Sequence, residues 1–374
     1  MSKAAELAAL IGSQSALSDR NILINGAMQV AQRGTSIAMA HDGNTGNYLI
    51  DRFSMALGGT HEQLDGTYAQ VDDHPFSANG KSLKWTTGTA ESSYDADEYV
   101  YFAQVVEAQN LQHINNGNSN ALPLTLSFYV KSSVTGTFAV GLFKEDTTNR
   151  IFNQTYAISS ANTWEKKTIT FAGDTAGGGI VNDNGRGFYV NWHIAAGSNA
   201  VGGGSTSGWK QYGGLSDWAD GQATNAVATT AGATWQVTDC QLEIGEQATP
   251  FEHRSFGDEL LRCQRYYQVS GSSVDSSYHV FPGQRWSSNN IFFSVPIATS
   301  MRANPTIGSD VSGNFGFVGG NNQSKAFSLS EMNFVSLDSS SITARVTVDF
   351  TPNSAYAYTG YFNTAGELQL DAEL

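Results

Sequence analysis

The sequence predicts an all-β protein: a short N-terminal helix, a jelly-roll β-sandwich, a short connector helix, then a smaller C-terminal β-sandwich. Three observations carry this expectation. Period-two alternation dominates, as in LPLTLSFYVK, where Leu124, Leu126, Phe128 and Val130 share one face. Glycine is plentiful, at 39 residues, and is mixed with Ser, Thr and Asn in turn-like clusters. No stretch reads as a helix longer than two turns, so crossover helices are missing and the strands should pair antiparallel. At 374 residues the chain has the length of about two ordinary domains.

Residues 1–20 form the first element. Ala4, Leu7, Ala8 and Ile11 follow the spacing of one helix face, and Gly12 would end it. So short a helix is marginal alone, which makes it a docking, attachment or trimerisation segment, with Leu7 and Ile11 as contacts, or a helix packed on its own chain. Residues 21–254 read as the jelly roll. GTFAVGLFK alternates through Phe138, Val140 and Leu142, while EYVYFAQVV and GFYVNWHI are aromatic and β-branched enough to be buried strands. Between Ala172 and Thr234 the chain is rich in Gly, Ser and Asn but carries Trp209, Tyr212 and Trp218, which suits an ordered binding loop better than a linker.

Residues 255–268 are the expected connector. Pro250 ends the last strand of the sandwich, Ser255 with Asp258 forms a capping pair, and Phe256, Leu260, Cys263 and Tyr267 lie on one helix face. Residues 269–374 form the second β domain, in which Ile342, Ala344, Val346, Val348 and Phe350 alternate with polar residues. The two cysteines, Cys240 and Cys263, read as reduced and buried, although a disulfide stays open.

A formal charge of −14 argues against nucleic acid, and no run is long enough to cross a membrane. Without a signal peptide pattern, synthesis in a cytoplasm is expected. No metalloprotease, P-loop or nucleophile-elbow motif stands in a supporting context, so the expectation is a protein that is not an enzyme. Asp95, Asp97 and Glu98, in SSYDADEY, have a loose calcium-like spacing of oxygen ligands, a solvated acidic loop being the alternative. Trp192, Trp209, Tyr212 and Trp218 are the candidate glycan contacts, because sugar rings dock their C–H faces on flat aromatic surfaces; covering the open end of the sandwich is the structural alternative.

NILINGAMQVAQRGTS followed by YLIDRFSM resembles the opening of virion proteins of tailed bacteriophages that begin with a carbohydrate-binding-module-like jelly roll. CQLEIGEQATPFEHRSFGDELLRCQRYYQ resembles the segment that closes that domain, and VPIATSMRANPTI with LQLDAEL resembles the small β domain after it. The resemblance implies a tail fibre or other receptor-binding component of the virion, often a homotrimer, contacting other virion proteins and a host surface glycan. It further implies a structural Ca²⁺ between the first and last strands. Asp239 is a candidate ligand, whereas Asn25-Gly26-Ala27 stands where an acid often follows the glycine. Arg33, Asp51, Arg52 and Arg254 recur in the pattern and are expected to fix strand ends. Two other functions stay open: a capsid decoration, head fibre or adaptor without glycan binding, and a polysaccharide depolymerase.

Overall fold

The computed structural model describes residues 19–40, 47–59, 61–271, 279–308, 315–319, 324–327, 332–337, 339–348, 358–362 and 367–374. Leu7 and Ile11 lie outside them. The regular structure of the described residues is mostly strand, and the chain divides into two compact units between Glu259 and Leu260.

The first unit is a jelly roll of two antiparallel sheets. One has the order β1 (Ser36–Ala40), β4 (Asp65–Asp72), β5 (Lys81–Thr87), β13 (Thr234–Ile244), β7 (Leu124–Ser132) and β10 (Glu165–Phe171). The other runs β12 (Lys210–Gln211), β9 (Arg150–Ile158), β8 (Gly136–Lys144), β11 (Arg186–Ala196), β6 (Tyr99–Glu107), β3 (Phe53–Gly58) and β2 (Asn47–Tyr48). Because side chains alternate along a strand, each sheet gives one face to the shared core. Across that core Phe102 of β6 stacks on Trp235 of β13 at 5.5 Å, and Trp192 of β11 meets Phe128 of β7 edge-on at 6.0 Å. All four rings are fully buried, so they dominate the apolar area that joins the sheets.

The opening motif has a mechanical role here. Asn21 Oδ1 accepts hydrogen bonds from Leu23 N and Leu242 N, both at 3.0 Å, and Asn21 Nδ2 donates to Cys240 O at 2.9 Å. Gly26 abuts the same carbonyl: a Cβ there would stand 2.1 Å from Cys240 O. The Arg254 guanidinium donates to Asn21 O and to Leu23 O. Asn25, at φ 60°, closes the following turn by accepting from Val30 N and donating to Val30 O and Asp51 O. Asp51 holds Gln32 through both oxygens, and the buried Arg52 donates to Val105 O. Chain entry and the last strand β13 are thus stitched by side chains, not by ladder bonds alone.

Helix α1 (Phe256–Gln264) starts in the first unit and ends in the second. Ser255 caps it, accepting from Asp258 N at 3.2 Å and donating to the Asp258 carboxylate at 2.6 Å. The helix stops at Gln264 rather than reaching 268: Tyr267 already opens β14 (Tyr267–Gly271), so the expected four-residue apolar face is shorter. Phe256 is exposed and Cys263 buried. Both cysteines are buried, and no disulfide joins them.

The second unit holds a three-stranded sheet, β14–β23 (Glu367–Asp371)–β17 (Thr306–Gly308). Its larger sheet has the order β19 (Ser324–Phe327), β18 (Phe315–Gly319), β22 (Tyr358–Phe362), β15 (His279–Ser287), β16 (Asn290–Val295), β21 (Ile342–Thr347) and β20 (Met332–Leu337). Ile342, Ala344, Val346 and Val348 are buried as their alternation requires; Phe350 lies outside the described residues.

Replacing Asn21 by Ala leaves the Leu242 amide and the Cys240 carbonyl buried without their partner, at about 1–3 kcal/mol for each group. Urea unfolding of Asn21→Ala should therefore show the first unit weakened by roughly 3 kcal/mol. An unchanged midpoint would show that the ladder bonds alone close the sandwich.

Candidate functional site

The outer face of the seven-stranded sheet gathers aromatic side chains. On β6, Val100 and Phe102 enter the core, which sends Tyr99 and Tyr101 to the opposite face. On β11, Phe188, Val190 and Trp192 point inward, leaving Tyr189, Asn191 and His193 outside. The register then sets His193 beside Tyr101, Tyr189 beside Phe143, and Asn191 beside Gly141.

The segment after β11 brings two more rings. Trp218 meets Tyr101 edge-on at 5.3 Å, Phe143 at 5.4 Å and His193 at 6.0 Å. Since Phe143 and Tyr101 flank the Asn191 position, the indole spans the Asn191–His193 stretch of β11. Tyr212 packs on Phe143 at 5.1 Å, while Tyr99 and Tyr101 stack on each other at 5.9 Å. Tyr99, Tyr101, Tyr189, Tyr212 and Trp218 are all half-buried, with ring surface left to solvent. The Arg186 guanidinium lies over Tyr189, 5.8 Å from its centroid, and pairs with Glu145 at 3.3 Å.

Buried polar groups fix the loop that carries Trp218. Asn153 Nδ2 donates to Ser205 Oγ at 2.8 Å and to Asp217 O at 2.7 Å. Asp217 binds Lys210 Nζ and Gly213 N, both at 2.6 Å, and Asp220 accepts from Gly202 N and Thr206 N. Gly141 makes space for Asn153: a Cβ there would fall 1.8 Å from Asn153 Oδ1. A glycine-rich segment is held rigid in this way.

The face is electrically neutral at its centre. Burial raises the phenols of Tyr99, Tyr101, Tyr189 and Tyr212, so they remain donors. Burial pushes His193 down to about 3, against a smaller upward pull from the Trp218 backbone. Neither amide atom of Asn191 nor Trp218 Nε1 has a hydrogen-bond partner, although all are buried. Flat rings beside neutral donors and acceptors form a surface suited to stacking a polyol ring and reading its hydroxyls.

The four aromatics singled out in the sequence part company. Tyr212 and Trp218 join the face. Trp192 does not: its side chain is entirely inside, between Phe53 and Phe128, because it falls on the inward register of β11. Trp209 stacks on the core residue Phe188 at 5.7 Å and donates Nε1 to Ala172 O at 2.7 Å, so it plugs the sandwich. Tyr99, Tyr101, Tyr189, Asn191 and His193 were missed. Their signal was the alternation within EYVYFAQVV and GFYVNWHI, which marks a second face where the composition suggested burial throughout.

The expected calcium ligands also separate. Asn25 spends its side chain on the turn at Val30 and Asp51, and so is no ligand. Asp239, at a bulge in β13, lies 3.2 Å from His74 Nε2 and lines a pocket of about 290 Å³ that also contains Arg254. Asp95 is exposed and Asp97 half-buried; the residue of that run that turns inward is Glu98.

No family model matches the chain, and no curated protein matches it. Part of the chain is similar to solved structures. For the enzymatically active domain of tailspike protein 4 of bacteriophage CBA120 the identity is 12% and the TM-score 0.30, over 60% of this chain and 21% of that one. For the family 11 carbohydrate-binding module of a cellulosomal cellulase from Clostridium thermocellum the identity is 11% and the TM-score 0.28, over 56% and 97% of the two chains. For the second xylan-binding domain of a Paenibacillus barcinonensis xylanase they are 16% and 0.29, over 56% and 99%.

His193 supplies a pH prediction. Its folded-state pKa lies below the unfolded value of 6.5, so the unfolded chain takes the proton first. The stabilising effect is complete above 6.5 and is lost as the pH falls toward about 3. Between pH 6.5 and 5 the wild type should lose about 1.5 kcal/mol more than His193→Gln in urea titrations. Parallel pH profiles would mean that the imidazole takes its proton as readily in the fold as in the unfolded chain.

Proposed function

We propose that the chain is a non-catalytic glycan-binding component of a tailed-phage particle, a tail fibre or related receptor-binding protein. The observation that carries the binding reading is the outer face built by Tyr99, Tyr101, Tyr189 and Trp218. Half-exposed rings supply stacking surface, their phenols supply hydroxyl groups, and Arg186 and Glu145 supply charge at its edge. The virion assignment rests on the resemblance carried by NILINGAMQVAQRGTS, YLIDRFSM and the closing segment. Homotrimer formation and delivery into the virion belong to that same reading.

Binding without cleavage is favoured by the state of two acids beside the platform, while a third, Glu145, is paired with Arg186. Asp217 and Asp220 are buried and hold backbone amides, so they act as loop anchors rather than as a general acid and base.

Purified protein on a panel of immobilised bacterial lipopolysaccharides, capsular polysaccharides and plant β-glucans and xylans should retain on at least one. A lost aromatic contact is worth about 0.5–1.5 kcal/mol, so Tyr101→Ala with Trp218→Ala should weaken retention by roughly tenfold or more. Phe76→Ala, which removes an exposed ring from a turn next to the other sheet, should leave it unchanged. Retention that survives the double substitution would sink the platform reading. Wild-type protein that ignores every polysaccharide, with variants that fail to assemble, would make the face a contact between subunits.

A further inference from the structure

A second cluster lies where two loops meet, the one between β3 and β4 and the one between β5 and β6. His61 follows β3, Glu91 follows β5, and Glu98 immediately precedes β6. All three side chains are completely buried. His61 Nδ1 stands 3.5 Å from Glu98 Oε1 and 4.0 Å from Glu91 Oε2. One potential ligand atom from each residue can be chosen so that all lie within 4.8 Å of one another.

The hydrogen bonding is lopsided. Glu91 Oε2 accepts from the backbone amides of Glu62, Gln63 and Leu64, at 3.2, 3.3 and 3.1 Å. Glu98 Oε2 accepts from Asp95 N at 2.8 Å. Each carboxylate is therefore tethered by one oxygen. The remaining oxygens, Glu91 Oε1 and Glu98 Oε1, are buried without a hydrogen-bond partner, and the nitrogens of His61, near the backbone of Gly58 and Tyr99, make no well-formed hydrogen bond. Tyr94 presents its ring edge to His61 at 5.8 Å, and its hydroxyl is likewise buried and unpaired. Among the described residues, His61 is the only basic side chain that pairs with either glutamate. Two buried carboxylates facing a lone imidazole are costly, and a shared cation removes that cost.

We propose that His61, Glu91 and Glu98 bind a divalent cation of the transition-metal type, zinc foremost. An imidazole nitrogen with two carboxylates is a donor set such ions accept, whereas calcium takes six to eight oxygens. Ligand bonds of about 2.0–2.2 Å in a tetrahedron place ligand atoms roughly 3.3–3.6 Å apart, against the 3.5 and 4.0 Å that separate His61 Nδ1 from the two carboxylates. The backbone amides on Glu91 and Glu98 play the part of outer partners that aim metal-bound carboxylates.

The ion would pin the rim of the aromatic face without belonging to it. Glu98 precedes Tyr99, and its carbonyl accepts from Gly197 N at 2.7 Å, while Ala96 O accepts from Asn199 N at 2.7 Å. Gly59 packs so closely on this loop that a Cβ would lie 2.5 Å from Asp97 O. The β3–β4 and β5–β6 loops are thus joined at one point to the start of the segment that carries Trp218.

The test strips the full-length chain with a chelator and titrates it separately with zinc, manganese and calcium chlorides. Elemental analysis and calorimetry give stoichiometry and affinity, and thermal melts give stabilisation. One zinc per chain is expected, with a melting temperature several degrees higher, and affinity at least tenfold lower in His61→Gln and Glu98→Gln. Asp95→Asn, at the exposed acid beside them, should bind as wild type does. Circular dichroism identifies any variant that fails to fold, and cobalt substitution then reads the wild-type site directly through the visible bands of a nitrogen- and oxygen-ligated ion. The proposal is overturned by absence of stoichiometric zinc, by zinc binding that both glutamine variants retain, or by a response to calcium alone. None of these outcomes depends on whether the aromatic face binds a glycan.

Discussion

Closure of the first unit depends on the clamp between chain entry and β13. One asparagine, Asn21, satisfies the Leu242 amide and the Cys240 carbonyl across more than two hundred residues of sequence, as well as the nearby Leu23 amide, and Arg254 holds it from the other side. Such a long-range contact is entropically expensive to form, so the interactions that secure it are hydrogen-bonded and buried. Gly26 is required there because the backbones pass too closely for any side chain. With the entry fixed, β6 lies between β3 and β11, and the alternation along β6 and β11 has only one way to face.

The aromatic face follows from that register. A strand buried on one side presents every second residue to the other, and here those residues are Tyr, Asn and His. The glycine-rich segment adds Trp218 and is anchored through Asn153, Asp217 and Asp220. Its stiffness has a functional meaning: rings that are already placed lose little freedom when a ligand stacks on them. Neutrality has another, since desolvating phenols and an uncharged imidazole costs far less than desolvating ions.

Much of this was legible in the sequence. The all-β class, the ordered character of the Gly-rich segment, the Ser255 cap and the inward set of β21 could be read from alternation and turn chemistry. The division between core and surface aromatics could not be read from composition. Trp192 and Tyr189 stand three residues apart on one strand, and only the pairing shows that one is in the core and the other on the face. Asn25 is similar: its motif is plain, but its use as a turn lock is visible only through Val30 and Asp51. The buried His61 cluster had almost no signal, because its three residues come from loops that only the folded sheets bring together. Glu98 belonged to a recognised acidic run, yet the fold turned that residue inward and left Asp95 outside.

The most direct test of the account is a crystal structure of the full chain with an oligosaccharide from its best-retained polysaccharide. The account predicts a sugar ring stacked on the Tyr99–Tyr101–Trp218 platform, with hydroxyls reaching Arg186 or the phenols. A sugar bound instead in the pocket beside Asp239, or on the second unit, would contradict it.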